Sequence, residues 1–250
     1  MRQNWDKLGA TDPLWAILND ASKTGNRWEL EEFFASGVRE VRVVLEHVQG
    51  IHSIPSGPVL DFGCGVGRLT QALAEHFEEV VGVDISVSMI EKARKYNRHG
   101  ARCQFVLNPL GDLRIFPDAR FSFIYSSITL QHMRPRYSKR YLEELLRVLT
   151  PGGVLVFQLP SGLAAGRWRA AKRASHALYY HVFHPVFRPG KPVIEMHPVP
   201  KEAILELLTA RGASVLDMTP DQSAGKLWES YRYTVTRNQG FDSTTGLLSK

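Results

Sequence analysis

Beyond residue 58 the apolar positions fall in short unbroken runs, separated by glycine-rich turns and by stretches with helical spacing. The runs at 59–62, 80–83, 103–107, 121–126 and 154–159 predict strands. The stretches at 69–77, 88–96 and 136–149 predict helices between them. Strands that are apolar on both faces and alternate with helices belong to a parallel sheet covered on both sides. Before this region, Thr11-Asp12-Pro13 followed by Leu14, Trp15, Ile17 and Leu18 reads as a capped helix start. A second helix is expected at 29–48, with Phe33, Phe34, Val38, Val41, Val44 and Leu45 on one face. Residues 50–58 are loop, rich in Gly, Pro and Ser. After Pro160 the alternation stops: 161–199 is basic and aromatic. A helix at 201–210 and strands at 213–218 and 231–236 follow.

This organisation predicts one α/β domain. Its parts are an N-terminal helical cap (1–57), a ligand-binding core (58–159), an insert suited to an acceptor or a lid (160–200), a C-terminal helix and strands (201–237), and a disordered tail (238–250).

Charge adds one feature. Lys plus Arg is 31 against 25 Asp plus Glu, a net charge of +6, and the excess is local. Between Glu144 and Glu195 there is no acidic residue, while Arg147, Arg167, Arg169, Lys172, Arg173, Arg188 and Lys191 lie there. That stretch fits a solvated helix face, an anionic partner, or a peripheral membrane or lipid-linked contact. With two cysteines, no signal-like N-terminus and no run long enough to cross a bilayer, a reducing, cytoplasmic setting is expected.

The densest chemical signal is Val59-Leu60-Asp61-Phe62-Gly63-Cys64-Gly65-Val66-Gly67-Arg68-Leu69-Thr70. Glycines let the backbone turn off the strand and approach a ligand closely, and the next helix offers free N–H groups. Dinucleotide enzymes use a similar turn, but with Gly or Ala where Arg68 stands. Asp61, at an apolar strand end, needs a partner; a ligand ammonium supplies one, whereas a pyrophosphate would be repelled. Asp84, ending the second strand, is placed either for a ribose diol or as a helix N-cap.

With these residues in view, the chain resembles the class I S-adenosylmethionine-dependent methyltransferases. VLDFGCGVGRLT looks like the family's first motif, VVGVDIS like its ribose-binding motif, and EELLRVLTPGGVLVF like its closing helix, turn and fifth strand. The resemblance spans 59–159, with a weaker echo to 235. It implies a Rossmann-like doubly wound, mostly parallel seven-stranded sheet with one antiparallel strand. It implies S-adenosyl-L-methionine as cofactor. Asp61, Gly63 and Gly65 would surround its methionine end, with Cys64, Arg68 and Ser126 also among the cofactor-binding residues. Asp84 would hold the ribose, Ile85 and Met89 would pack on adenine, and Asp112-Leu113 or the rival Asn108 would meet the adenine amine. Where the family tends to place Asp after Phe at the start of strand four, this chain has Ser122.

The chemistry is expected beyond the carboxyl ends of the strands. His132 follows the fourth strand and is the candidate general base for a hydroxyl acceptor, as the resemblance to sugar and small-molecule O-methyltransferases implies; alternatively it only packs there. Glu195 and His197 are the candidates for a second polar group, or else a surface loop. A small-molecule or glycan acceptor is expected, with N- or C-methylation of a small metabolite as the alternative. A nicotinamide oxidoreductase is disfavoured by Arg68, Asp61 and the lack of a Tyr-x-x-x-Lys pair. Nucleic-acid methylation is disfavoured because Ser126-Ser127-Ile128-Thr129 stands where base-methylating enzymes carry a Pro-Pro-aromatic motif. No metal is expected, because His176, His181 and His184 match no zinc spacing.

Overall fold

The order in which the strands line up fixes where a ligand can enter. The structure, a computed structural model, describes residues 2–164 and 194–238, and the backbone of 241–242 and 247–248. The strands are β1 (Val59–Phe62), β2 (Val80–Asp84), β3 (Cys103–Leu107), β4 (Phe121–Ser126), β5 (Leu149–Leu163), β6 (Ala213–Pro220) and β7 (Trp228–Arg237). They form one seven-stranded sheet in the order β3-β2-β1-β4-β5-β7-β6. Neighbouring strands among β1–β5 pair parallel, and β7 runs antiparallel to both β5 and β6. The expected Rossmann-like architecture is therefore present, with its topological switch between β1 and β4.

Among the described residues, seven helices flank the sheet: α1 (Arg2–Thr11), α2 (Pro13–Ile17), α3 (Leu30–Ile51), α4 (Arg68–Leu73), α5 (Val87–Tyr96), α6 (Pro135–Val148) and α7 (Lys201–Ala210). Every residue of β1 and β4 is buried, because both sheet faces are covered. On one face Leu60, Val81, Ile124, Leu155 and Phe157 pack with Leu142 and Leu145 of α6 and Ile204 and Leu208 of α7. On the other, Val59, Val80, Phe123 and Val156 pack with Val41, Val44 and Val48 of α3, and with α4 and α5. Each such side chain removed from water contributes about 1.5–3 kcal/mol.

Several boundaries differ from the expected ones. Helix α4 ends at Leu73 rather than 77, because the Glu75 N–H bonds back to Ala72 and tightens the last turn. Strand β5 runs from 149 to 163, since it pairs with Phe121 at one end and with Trp228 at the other. Helix α1 has no counterpart in the predicted elements: Trp5 and Leu8 are too few apolar positions to give a period. Tertiary bonds hold it instead, with Asp6 Oδ1 accepting from Ser86 Oγ at 2.9 Å and the Ser88 Oγ donating to the Asp6 carbonyl at 2.9 Å. Asp12 does not cap α2 with its side chain; its Oδ2 accepts from the Gly25 and Asn26 N–H groups at 2.6 and 3.1 Å. In the tail, expected to be disordered, the backbones of 241–242 and 247–248 pair antiparallel.

Residues 165–193 of the basic insert, with most of its aromatic residues and with His176, His181 and His184, lie outside the described residues. Among the described residues, no helix is long and apolar enough to cross a membrane.

Candidate active site

The loops leaving β1, β2, β3 and β4 converge beyond the carboxyl edge of the sheet and border one cavity, with α1 and α2 as its roof. The space, counted out to its open mouth, is about 810 Å³. Its wall includes Phe62, Gly63 and Gly65 after β1, Asp84 and Ile85 after β2, Asn108 after β3, and Ser127, Ile128, Thr129 and His132 after β4. Trp5, Ala16 and Ile17 close it from the N-terminal helices.

The floor is the glycine turn. Gly63 has φ +81° and Gly65 φ +53°, both left-handed. A Cβ on Gly63 would lie 2.2 Å from Thr129 Cγ2, and one on Gly65 2.6 Å from Ile17 Cδ1. Only glycine permits both the turn and this close approach.

Asp84 is the anchor. Its Oδ2 accepts from the Gly65 N–H at 2.9 Å and its Oδ1 from the Ser86 N–H at 2.8 Å. Both oxygens keep further lone pairs, and the residue borders the cavity. Burial pushes its pKa up, while the N–H bonds from Ser86, Gly65 and Ile85 oppose that rise. The N-cap of α5 is Ser86, whose Oγ accepts from the Met89 N–H at 3.3 Å, so Asp84 is not spent as a cap. Met89 and Ile85 line the same side.

Six expected contact residues fall elsewhere. Asp61 is buried beneath the turn and does not border the cavity; its partner is Thr70, whose hydroxyl donates at 2.6 Å. Burial pushes its carboxyl up to about 7. Cys64 is buried against Gly82 on the sheet side. Arg68 turns away to Glu40 of α3 at 2.8 Å, and Glu40 also accepts from the Tyr125 hydroxyl at 2.7 Å. Asp112 is buried away from the cavity wall and pairs with Arg114 and Arg140, at 2.7 and 3.1 Å, and Leu113 is core. Ser126 donates to the Phe62 carbonyl at 3.1 Å, leaving Ser127 to face the cavity.

Of the two rivals for adenine, Asn108 is the one at the wall. Its Oδ1 accepts from the Leu110 N–H at 3.1 Å and its Nδ2 donates to the Asp112 carbonyl at 2.6 Å, which fixes the loop after β3.

His132 ends a short 3₁₀ turn, Leu130–His132, and borders the cavity. Its Nδ1 donates to the Glu195 carbonyl at 2.7 Å, and the Trp5 ring meets it edge-on at 5.1 Å between centroids. Burial holds its pKa down to about 4, with His197 adding to the drop and the Glu195 bond opposing it. A base poised near neutrality, as expected from the sequence, is not what this environment makes. Glu195 and His197 are brought beside His132, but through the backbone: the His197 N–H donates to the Gln131 carbonyl at 2.7 Å. Their side chains pair with each other at 3.2 Å and are not part of the cavity wall.

Sequence reasoning gave no site role to the roof residues Trp5, Ala16 and Ile17, nor to Ile128. Ile128 has φ +56°, which a β-branched residue adopts only at a cost of about 1–3 kcal/mol. No sequence signal marks such a position.

These features suit an adenosine-type ligand with a cationic end. Asp84 offers acceptors for a diol, the glycine turn admits close approach, and no Arg or Lys stands among the described lining residues to meet a pyrophosphate. Comparison with known proteins agrees. Residues 59–153 match the family model described as a methyltransferase domain. The 2-methyl-6-phytyl-1,4-hydroquinone methyltransferase of Synechocystis sp. is 28% identical over 154 residues, 61% of this chain and 47% of that protein. The trans-aconitate 2-methyltransferase of Sinorhizobium fredii is 29% identical over 142 residues, 54% of this chain and 51% of that one. The chain thus spans about half the length of these curated relatives. Magnesium protoporphyrin IX methyltransferase from Synechocystis PCC 6803, solved with bound S-adenosylhomocysteine, shares the fold at TM-score 0.65 and 17% identity, covering 95% of this chain and 98% of that one.

Proposed function

We propose that this chain, which carries a methyltransferase domain at residues 59–153, transfers a methyl group from S-adenosylmethionine to an oxygen of a small-molecule acceptor. The observation that carries the reading is Asp84. Its two oxygens are held by backbone N–H groups of the glycine turn and of the α5 start, and they face a cavity at the sheet's switch point. A ribose diol donates to the remaining lone pairs. Asn108 meets the adenine edge, and Ile85 and Met89 pack on its face. The cofactor, when bound, supplies a methyl group already activated by a cationic sulfur.

The chain's own work is positioning and proton handling. Trp5, Ile17 and Thr129 exclude water over the turn. Holding the acceptor in line at about 3 Å is worth several kcal/mol. His132 is neutral across the physiological range, so Nε2 is the ring atom free of its own proton. A conjugate acid with a pKa of about 4 makes a weak base. This supports an acceptor hydroxyl that is itself acidic, of the phenol or enol class, over the alcohol of a sugar or glycan. The decisive experiment is transfer of labelled methyl from S-adenosylmethionine to a panel of phenols, enols, carboxylates, sugars, lipids and RNA. Labelling of phenols or enols is expected. Labelling of RNA alone, or of amines alone, would contradict the reading.

A further inference from the structure

Two segments beside the cavity gather positive charge with almost no acid to balance it. Residues 108–116, after β3, carry Arg114, and residues 133–140, which open α6, carry Arg134, Arg136, Lys139 and Arg140; Asp112 is the sole carboxylate in either segment. They are packed together. The Tyr141 hydroxyl donates to the Leu110 carbonyl at 2.8 Å, and Asp112 Oδ2 takes both Arg114 and Arg140, at 2.7 and 3.1 Å. Arg134, Arg136 and Lys139 pair with no described carboxylate. Arg136 instead donates to the Tyr137 hydroxyl at 2.8 Å and lies over its ring, 4.6 Å from the centroid.

Two features show that this charge serves something outside the chain. The first turn of α6 holds no acidic residue, although a helix start favours negative charge and opposes positive. Cations collected there work against the helix they sit on. Large apolar side chains also stand exposed among them: Leu110, Ile115 and Tyr137, at 44%, 39% and 38%. A nucleic acid or a soluble anion would use the charges and leave Leu110 and Ile115 with nothing to meet. An anionic bilayer uses both, because its headgroups attract the cations and its interface takes the apolar side chains. The patch also adjoins the cavity. Asn108, Met133 and Tyr141 line that cavity; Leu110 lies two residues beyond Asn108, Arg134 follows Met133, and Tyr137 stands one helical turn before Tyr141.

We propose that the loop after β3 and the start of α6 form a docking surface for an anionic lipid bilayer, with Leu110, Ile115 and Tyr137 entering the interface and Arg134, Arg136, Lys139 and Arg140 meeting its headgroups. Docking by this face sets the cavity wall beside the membrane. The residues are distinct from the charges of the basic insert, so the two can be altered separately.

Flotation of the full chain with phosphatidylcholine vesicles, with and without phosphatidylglycerol, tests this without any methyl transfer, so it stands or falls apart from the catalytic reading. The wild type is expected to float with the anionic vesicles at low salt, to be released at high salt, and to leave the neutral vesicles alone. Each cation lost at the surface should weaken partition about fivefold, so Arg134→Gln with Arg136→Gln should weaken it about 30-fold. Leu110→Ser with Tyr137→Ser, which keeps the net charge, should weaken it about tenfold. Arg39→Gln with Arg42→Gln removes the same charge from exposed positions of α3, across the sheet, and should stay within about twofold of wild type. The insert is unaltered in every variant. If the Leu110 and Tyr137 variant fails to fold, the two arginine pairs decide. No flotation of the wild type, or equal loss in both arginine pairs, would overturn the docking surface. So would binding of RNA with none of vesicles. Loss in the Arg134 and Arg136 variant with none in a folded Leu110 and Tyr137 variant would make the patch a site for soluble anions and overturn the proposal as well.

Discussion

His132 Nδ1 lies 2.7 Å from the carbonyl oxygen of Glu195. A carbonyl only accepts, so the ring proton sits on Nδ1 and the ring is held neutral by its surroundings. Its pKa of about 4 places protonation well below the ordinary histidine range. The acid limb of a kcat/KM profile is therefore expected near pH 4 rather than near 6.5. His132→Gln should lower kcat by about 10²-fold without changing S-adenosylhomocysteine affinity measured by calorimetry. Loss of that affinity instead of turnover would make His132 a wall of the cofactor site.

Asp61 and His132 pull stability in opposite directions over nearly the same pH window. Asp61 titrates at about 7 folded and near 3.8 unfolded. Between those values the folded state holds more protons, so stability falls as pH rises, by on the order of 4 kcal/mol across the window. His132 titrates at about 4 folded and near 6.5 unfolded. There the unfolded state holds more protons, so stability falls as pH drops, by on the order of 3 kcal/mol. The native curve is flattened, and single variants separate the two contributions. Asp61→Asn, which still accepts from Thr70, should unfold at a higher temperature than wild type at pH 8, with the gap closing toward pH 4. A gap that is constant with pH would show that Asp61 is not the buried acid described.

Asp84→Asn keeps one acceptor oxygen for the turn and removes the charge. Charge-assisted hydrogen bonds are worth about 1.5–3 kcal/mol each, so S-adenosylhomocysteine should bind 10- to 100-fold more weakly, on the order of 1.4–3 kcal/mol. The melting temperature of the free protein should also fall, because the Asn amide nitrogen would face one of the two N–H groups that Asp84 accepts from. Calorimetry and thermal melts on the same sample separate the two effects.

The adenine site distinguishes Asn108 from Asp112. Asn108→Ala should weaken cofactor affinity about tenfold, the value of one lost hydrogen bond plus a loosened loop. Asp112→Ala loses ion pairs with Arg114 and Arg140, whose side chains are 73% and 51% exposed, and surface pairs contribute about 0–1 kcal/mol. Its cofactor Kd should stay within about twofold of wild type. The reverse ranking would return the adenine role to Asp112.

Gly63→Ala places a methyl 2.2 Å from Thr129 in a left-handed residue. A loss of about 1–3 kcal/mol in stability is expected, together with weakened cofactor binding. Adding Thr129→Ala should recover only part, because the Thr129 Cβ already lies 2.7 Å away and φ is unchanged.

Much of this was legible in the residues themselves. The parallel core and the position of Asp84 follow from continuous apolar runs and from a glycine turn followed by a strand that ends in Asp, and both are local signals. Where side chains point after the turn is not local. Arg68 and Cys64 sit in the motif yet face Glu40 and the sheet: Arg68 lies on the side of α4 that meets α3, and Cys64 lies in the turn before the helix, against Gly82. Asp112 is held by Arg114 and by Arg140 of α6, and the second partner lies 28 positions away, beyond what the local sequence announces. Helix α1 lacks an apolar period, so only its bonds to Ser86 and Ser88 reveal the roof it builds. The drop in the His132 pKa comes from burial under Trp5 and beside Glu195, residues separated from it by more than sixty positions in each direction.

The central claim is that the turn between β1 and α4, with Asp84 beside it, holds an adenosine-type cation. Titration calorimetry of the full chain with S-adenosylmethionine and S-adenosylhomocysteine, with NADH as the control, tests it most directly. One-to-one binding of both adenosyl ligands, diminished in Asp84→Asn, and no heat with NADH is the expected result. Binding of NADH with none of the adenosyl ligands would contradict the account.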